Sequence, residues 1–350
     1  MRNQPCSARK IAIIMAITIM AGCWPFEGRA EEGGILRGVL KERLLSKLKD
    51  KTVEGTDAST LETITKAGDY TFSVSWDGLE RHYKVHVPKS YNPTKATPMV
   101  LAFHGGGGDM EYMSKDNLYG LISKSEQTGY IVAFPSGYSK FKSGKFATWN
   151  AGNCCADARD KNIDDVGFVR QVVSNLTAQV NIDRNKIYAT GMSNGGMMSH
   201  RLACEAADIF KAVASVAGTD GTKTCNPSRP ISVLHIHAQD DDHVLFNGGA
   251  GEGSFRDPSK VTEFISVPET MSRWVERDHC IGLPKRVLQV DGAYCDVYLR
   301  CSGGTQVKLC VTSTGGHSWP GGNKPRADIP PSQAISANDQ IWRFFENTSR

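Results

Sequence analysis

No Cys-x-x-Cys pair occurs in this 350-residue chain, so its ten cysteines do not read as a structural zinc site. No Gly-Lys-Ser/Thr follows its glycine run, and no Gly-x-Gly-x-x-Gly leads into a helix with an acid on the next strand, which removes the usual nucleotide cradles. There is no internal repeat, no low-complexity tract, and no composition break that would mark a second folded domain. The apolar stretch Ile11 to Ala21 is too short to span a bilayer comfortably. Charge of one sign is not in excess either. Without residues 1 to 30 the chain holds 37 basic and 36 acidic residues, which gives no footing to a nucleic-acid or anionic-membrane partner. No metal and no organic cofactor is expected.

What is present suggests export. Arg2, Arg9 and Lys10 precede the apolar stretch in the layout of a signal peptide, residues 1–30. Two processing sites compete. Met20-Ala21-Gly22-Cys23 resembles the lipoprotein pattern, which would put a lipid anchor on Cys23, whereas Gly28-Arg29-Ala30 fits the small-x-small rule and is slightly favoured. A secreted or periplasmic protein is expected. Eight cysteines remain after the leader, an even number suited to disulfides. Tyr294 to Arg300 and Thr305 to Val311 read as strands joined across Ser302-Gly303-Gly304, and a two-residue turn at Ser302-Gly303 sets Cys295 opposite Cys310. Cys280 with Cys301 and Cys204 with Cys225 are the next expectations, each worth about 2 to 4 kcal/mol. Adjacent Cys154 and Cys155 are open between a vicinal bridge and two free thiols.

Residues 31–68 are polar, with an amphipathic helix over Ile35 to Leu48, and read as an N-terminal extension before one domain, 69–350. From there β-branched runs alternate with helix-length segments: Tyr70 to Ser75, His82 to Val87, Met99 to Phe103, Ile131 to Phe134, Lys186 to Ala189, Ala212 to Val216, Val233 to His237 and Val307 to Val311. Asp77-Gly78 joins the first two as a hairpin. The later spacings admit crossover helices, so an α/β protein with a mostly parallel eight-stranded sheet, covered on both faces, is expected.

Gly191-Met192-Ser193-Asn194-Gly195 lies between the strand-like Lys186 to Ala189 and a helix-like run from about Gly196, the setting of a nucleophile elbow. Serine at its ordinary pKa is a poor nucleophile. It needs a histidine to take its proton and a carboxylate to orient that histidine, following in the order Ser, acid, His. Asp240, Asp241 and Asp242 follow the seventh strand, where site residues of open sheets collect. His317 stands after the eighth within Gly315-Gly316-His317-Ser318-Trp319-Pro320-Gly321-Gly322. His243 is the runner-up base, and His235 and His237 read as core or wall. Two fixed backbone donors for an oxyanion are expected at Asn194 and in His104-Gly105-Gly106-Gly107-Gly108, after the third strand.

Together these segments resemble the secreted esterase family that joins polyhydroxybutyrate depolymerases with feruloyl and acetylxylan esterases. The likeness rests on Phe103-His104-Gly105-Gly106, Thr148-Trp149-Asn150 leading to Cys154, Asp164 to Phe168, Thr190 to Met197, Ala238 to Gly249, Trp274 with Cys280, and Gly316 to Gly321, and spans roughly residues 70 to 325. It implies the α/β-hydrolase fold and a serine carboxylester hydrolase. In that scheme Ser193 is the nucleophile, His317 the base and Asp241 the acid, chosen over its neighbours because the family's acid stands three residues before a valine, as Asp241 does before Val244. Gly106 and Asn194 supply the oxyanion amides. Trp149 and Trp319 are candidates for an acyl or aromatic pocket, while Asp164 and Asp165 read as carboxylate caps of a helix. The chain departs from the family at Ala238-Gln239 and Leu245, so a differently shaped acid loop is expected. No threonine-rich linker follows His317, which favours a phenolic ester of plant polysaccharide or a short hydroxyalkanoate oligomer over a crystalline polyester. A peptidase of the same fold and a non-catalytic glycan-binding scaffold are the alternatives.

Overall fold

The structure, a computed structural model, describes residues 62–254, 262–325 and 329–348. The signal segment, Cys23 and the helix expected over Ile35 to Leu48 lie outside the described residues. Chain order is β1 (Gly68–Trp76), β2 (Leu79–Val87), β3 (Thr97–Phe103), α1 (Leu121–Thr128), β4 (Ile131–Pro135), α2 (Asp165–Gln179), β5 (Ile182–Met192), α3 (Asn194–Glu205), β6 (Ala212–Val216), β7 (Ser232–Ala238), α4 (Val267–Arg277), β8 (Lys285–Val290), β9 (Ala293–Tyr298), β10 (Val307–Thr312) and α5 (Ala337–Asn347), with short helical turns between.

All ten strands form one sheet in the order β1-β2-β4-β3-β5-β6-β7-β10-β9-β8. The six from β4 to β10 in that order run parallel, and antiparallel strands close both edges. Every residue of β6 and β7 is buried, as expected of strands covered on both sides. Side chains of α2, α3 and α4 pack on one face, and those of α1 and α5 on the other. The β1–β2 hairpin turns at Asp77 and Gly78, both at positive φ, the conformation a two-residue hairpin demands.

The sheet has two strands more than the eight expected. β9 was legible as a strand but β8 was not, because Lys285–Val290 is an exposed, charged edge with no apolar alternation. β9 pairs with β10 in the expected register, Cys295 opposite Cys310, but the connection is longer than a two-residue turn. The strand ends at Tyr298, and a helical turn at Ser302–Gly304 frees Cys301 to reach Cys280. The structure joins Cys295 to Cys310, Cys280 to Cys301, Cys204 to Cys225 and Cys154 to Cys155. Two further readings are corrected. Ile64, inside the expected extension, is buried in the core, and its amide donates to Gln179 O at 2.8 Å, so the packed domain begins before residue 69. Asp165 is no helix cap: it is buried, paired with Arg81 at 2.7 Å, and accepts from Asn150 N, leaving Asp164 to cap Gly167.

Candidate active site

Ser193 follows β5 directly and precedes α3, with φ 56° and ψ −121°. That backbone is costly for a residue bearing a Cβ, on the order of 1–3 kcal/mol, and persists because its surroundings hold it. Ser193 N donates to Val216 O at 2.8 Å, tying the turn to the end of β6. The flanking glycines are demanded by contact: a Cβ on Gly195 would fall on Phe103 O and 2.5 Å from His104 O, and one on Gly191 would fall on the Gly195 carbonyl. The Gly-x-Ser-x-Gly spacing thus lets β3, β5 and α3 meet at backbone distance.

The three carboxylates after β7 have three different partners. Asp241, buried, accepts from His317 Nδ1 at 2.8 Å through Oδ2, and from the amides of His243 and Val244, both at 2.9 Å, through Oδ1. The valine three residues on therefore contributes an amide as well as a buried side chain. Asp240 accepts from Gly316 N at 2.8 Å and Gly315 N at 3.3 Å, pinning the loop that carries His317. Asp242 pairs with His243 at 2.7 Å. His243, the runner-up base, lies flat on His317 with ring centroids 4.4 Å apart.

Burial raises the pKa of Asp241, but the His317 and His237 imidazoles beside it outweigh that and hold the carboxyl well below the usual range. Burial is also the leading cause at His317, and it lowers that pKa despite the opposing pull of Asp241. Donating Nδ1–H to the carboxylate leaves its Nε2 lone pair free. Asp241, His243 and His317 also offer ligand atoms within 4.8 Å of one another and could hold a metal ion, although the Asp241–His317 bond already accounts for their closeness.

Ser193 and His317 line one cavity of about 370 Å³ with Gly106, Asn194 and Trp319. The Asn194 amide opens a helix, where N–H groups lack intrahelical partners. In the glycine run the Gly107 and Gly108 amides donate to Ala147 O and Gly105 O, while that of Gly106 has no partner among the described residues. His104 braces this run. Its Nδ1 donates to Gly105 O at 2.7 Å and its Nε2 accepts from Gly137 N at 2.9 Å, with burial holding its pKa down to about 4.

Trp319 is on the cavity wall, edge-on to Tyr119 at 5.7 Å. Trp149 is not. It is fully buried, its indole donates to His104 O at 3.0 Å, and its backbone makes two hydrogen bonds with the Asn194 side chain, so it shapes the elbow from behind. Sequence reasoning missed the role of Asp240, whose partners Gly315 and Gly316 lie on a loop 75 and 76 positions along the chain.

A mostly parallel sheet with a strained serine between strand and helix, and an Asp–His pair at the ends of later strands, defines an α/β hydrolase. A family model described as "Esterase: Putative esterase" matches residues 77–319, and the chain belongs to this family. It is 31% identical over 240 residues to feruloyl esterase B of Piromyces equi, covering 67% of this chain but 42% of that protein, so it spans less than half of that relative. It is 30% identical over 262 residues to a protein named "Putative esterase NocK" of Nocardia uniformis subsp. tsuyamanensis, covering 71% of this chain and 73% of that one. Among solved structures, an acetyl xylan esterase from Aspergillus awamori is similar with a TM-score of 0.49 and 15% identity, over 76% of this chain and 94% of the other. No helix among the described residues is long and apolar enough to cross a membrane.

Proposed function

We propose that the protein is an exported serine esterase that works through an acyl-enzyme. Ser193 Oγ attacks the ester carbonyl while His317 Nε2 takes its proton. The charge on the carbonyl oxygen is met by the amides of Asn194 and Gly106. The tetrahedral adduct collapses, His317 returns the proton to the departing alcohol, and a water activated by the same imidazole releases the acid. Asp241 holds the imidazole in the required tautomer. The observation that carries this reading is the Asp241–His317 bond at 2.8 Å, facing the cavity that Ser193 also lines.

Esters of aromatic acids are the best-supported substrates. Tyr112, Tyr119 and Trp319 form an edge-to-face series along the cavity, and Phe264 lines it too, so a planar phenolic acyl group would find ring surfaces beside the serine. The likeness to a protein named feruloyl esterase B points the same way. Eight cysteines joined in four disulfides support an oxidising, extracytoplasmic location.

The test is initial rates on methyl ferulate, p-nitrophenyl acetate and a soluble 3-hydroxybutyrate oligomer, with Ser193→Ala beside the wild type. Ferulate should be preferred, and Ser193→Ala should lose about 10⁴-fold or more in kcat with folding intact. Preference for the oligomer would move the assignment to polyester turnover. Turnover by Ser193→Ala, or no reaction with a serine-directed phosphonate, would refute the mechanism.

A further inference from the structure

Behind Asp241 runs a row of buried imidazoles outside the site itself. Trp274 Nε1 on α4 lies 2.9 Å from His200 Nδ1 on α3, and His200 Nε2 lies 3.3 Å from His235 Nδ1 on β7. His235 Nε2 lies 3.0 Å from His237 Nδ1, and His237 Nε2 ends 2.8 Å from Val244 O and 3.2 Å from Asp241 Oδ2. All four side chains are buried.

The two ends impose one direction. An indole nitrogen can only donate, so His200 Nδ1 accepts and its proton sits on Nε2. His235 Nδ1 must then accept and donate from Nε2, and His237 the same. At the far end a carbonyl and a carboxylate can only accept, so the last N–H points at them. A second proton on any ring would set two hydrogens against each other within one link.

We propose that His200, His235 and His237 are positioning residues for the esterase reaction, a one-way hydrogen-bond chain from Trp274 that sets the His237 Nε2–H between Val244 O and Asp241 Oδ2 and keeps that carboxylate aimed at His317. The proposal rests on the assignment of Ser193, His317 and Asp241 given above. In its favour, among the described residues Asp241 Oδ2 meets two ring nitrogens, His317 Nδ1 on the cavity side and His237 Nε2 on the core side, while Oδ1 takes the loop amides and also lies 3.1 Å from His317 Nδ1. Losing the core-side N–H leaves more of the carboxylate's charge to His317 and lets the carboxylate swing. The His317 pKa then rises, and the acid limb of kcat/KM, which reports the free enzyme's base, moves to higher pH. Other charged groups bearing on this array are Asp220 and Arg277 near His200, Asp242 with His243 on the face of His317, Asp240 on the amides of its loop, and Lys324, which donates to His317 O.

The experiment is the pH profile of kcat/KM for His237→Leu and His237→Gln, with Asp241→Asn and Ser193→Ala as controls. His237→Leu should lose about tenfold in kcat/KM and shift the acid limb up by roughly 0.5 to 1 pH unit, and His237→Gln, whose amide restores a donor, should bring the limb back. A residue needed only for packing would lower stability in both variants and leave the limb in place. If His237→Leu keeps the wild-type limb while both controls lose turnover, this proposal alone is overturned; if Asp241→Asn keeps wild-type turnover, the underlying assignment fails instead. Nitrogen-15 spectra of the wild-type imidazoles give a readout independent of variant folding. All three rings should carry Nε2–H and one proton each at pH 7, and an Nδ1–H on any of them overturns the chain.

Discussion

Lowering the pH from 7 to 4 should unfold this protein through its buried histidines. His104 and His200 are fully buried, and burial brings each pKa down to about 4. In the unfolded chain each titrates near 6.5. Above that pH both states are neutral and stability is unaffected. Between about 6.5 and 4 only the unfolded chain takes up the protons, so stability falls as the pH falls; below about 4 the folded rings protonate too and the loss levels off. Each proton is worth about 1.4 kcal/mol per pH unit, so one histidine removes about 3 kcal/mol across the window and the pair about 6–7 kcal/mol. His235, also lowered by burial, adds to the same side. The sum is comparable to the whole stability of an ordinary domain, roughly 5–15 kcal/mol. Urea unfolding at steps between about pH 7 and about pH 4 measures it directly. The midpoint should fall with a slope of roughly three protons by the middle of the window, two from His104 and His200 and one from His235, and a midpoint constant down to about pH 5 would refute the reasoning.

Gly195→Ala places a Cβ on the Phe103 carbonyl, so it should cost more than about 3 kcal/mol or abolish folding, read as soluble yield and urea midpoint. Trp319→Ala should raise KM for methyl ferulate far more than for p-nitrophenyl acetate. Trp149→Phe should leave both KM values near wild type while costing about 1 kcal/mol of stability, the bond to His104 O. Replacing Cys295 and Cys310 together by serine opens a link across 15 positions and should lower unfolding free energy by about 3 kcal/mol, seen as a lower Tm.

The elbow at Ser193 and the buried strands were legible because their causes are local. Small residues around a serine, β-branched runs and Asp77-Gly78 act through their own backbone and neighbours. β8 escaped because an exposed edge strand gains pairing without burying a face, so no alternation marks Lys285–Val290. Asp165 was misjudged because a carboxylate at a helix start looks like a cap whether or not Arg81, 84 positions earlier, folds against it. Trp149 and Trp319 could not be separated by residue type, since both are aromatic and only packing puts one behind the elbow and the other on the cavity wall.

By itself the amino-acid sequence determined the α/β class and the tight turn at Ser193 between a strand and a helix, because propensity, turn chemistry and motif spacing are short-range. Only the tertiary structure decided which acid meets His317, which one holds its loop, and how three histidines from α3 and β7 line up behind Asp241. Those contacts join residues up to 76 positions apart and form only when strands unrelated in sequence become neighbours in one sheet.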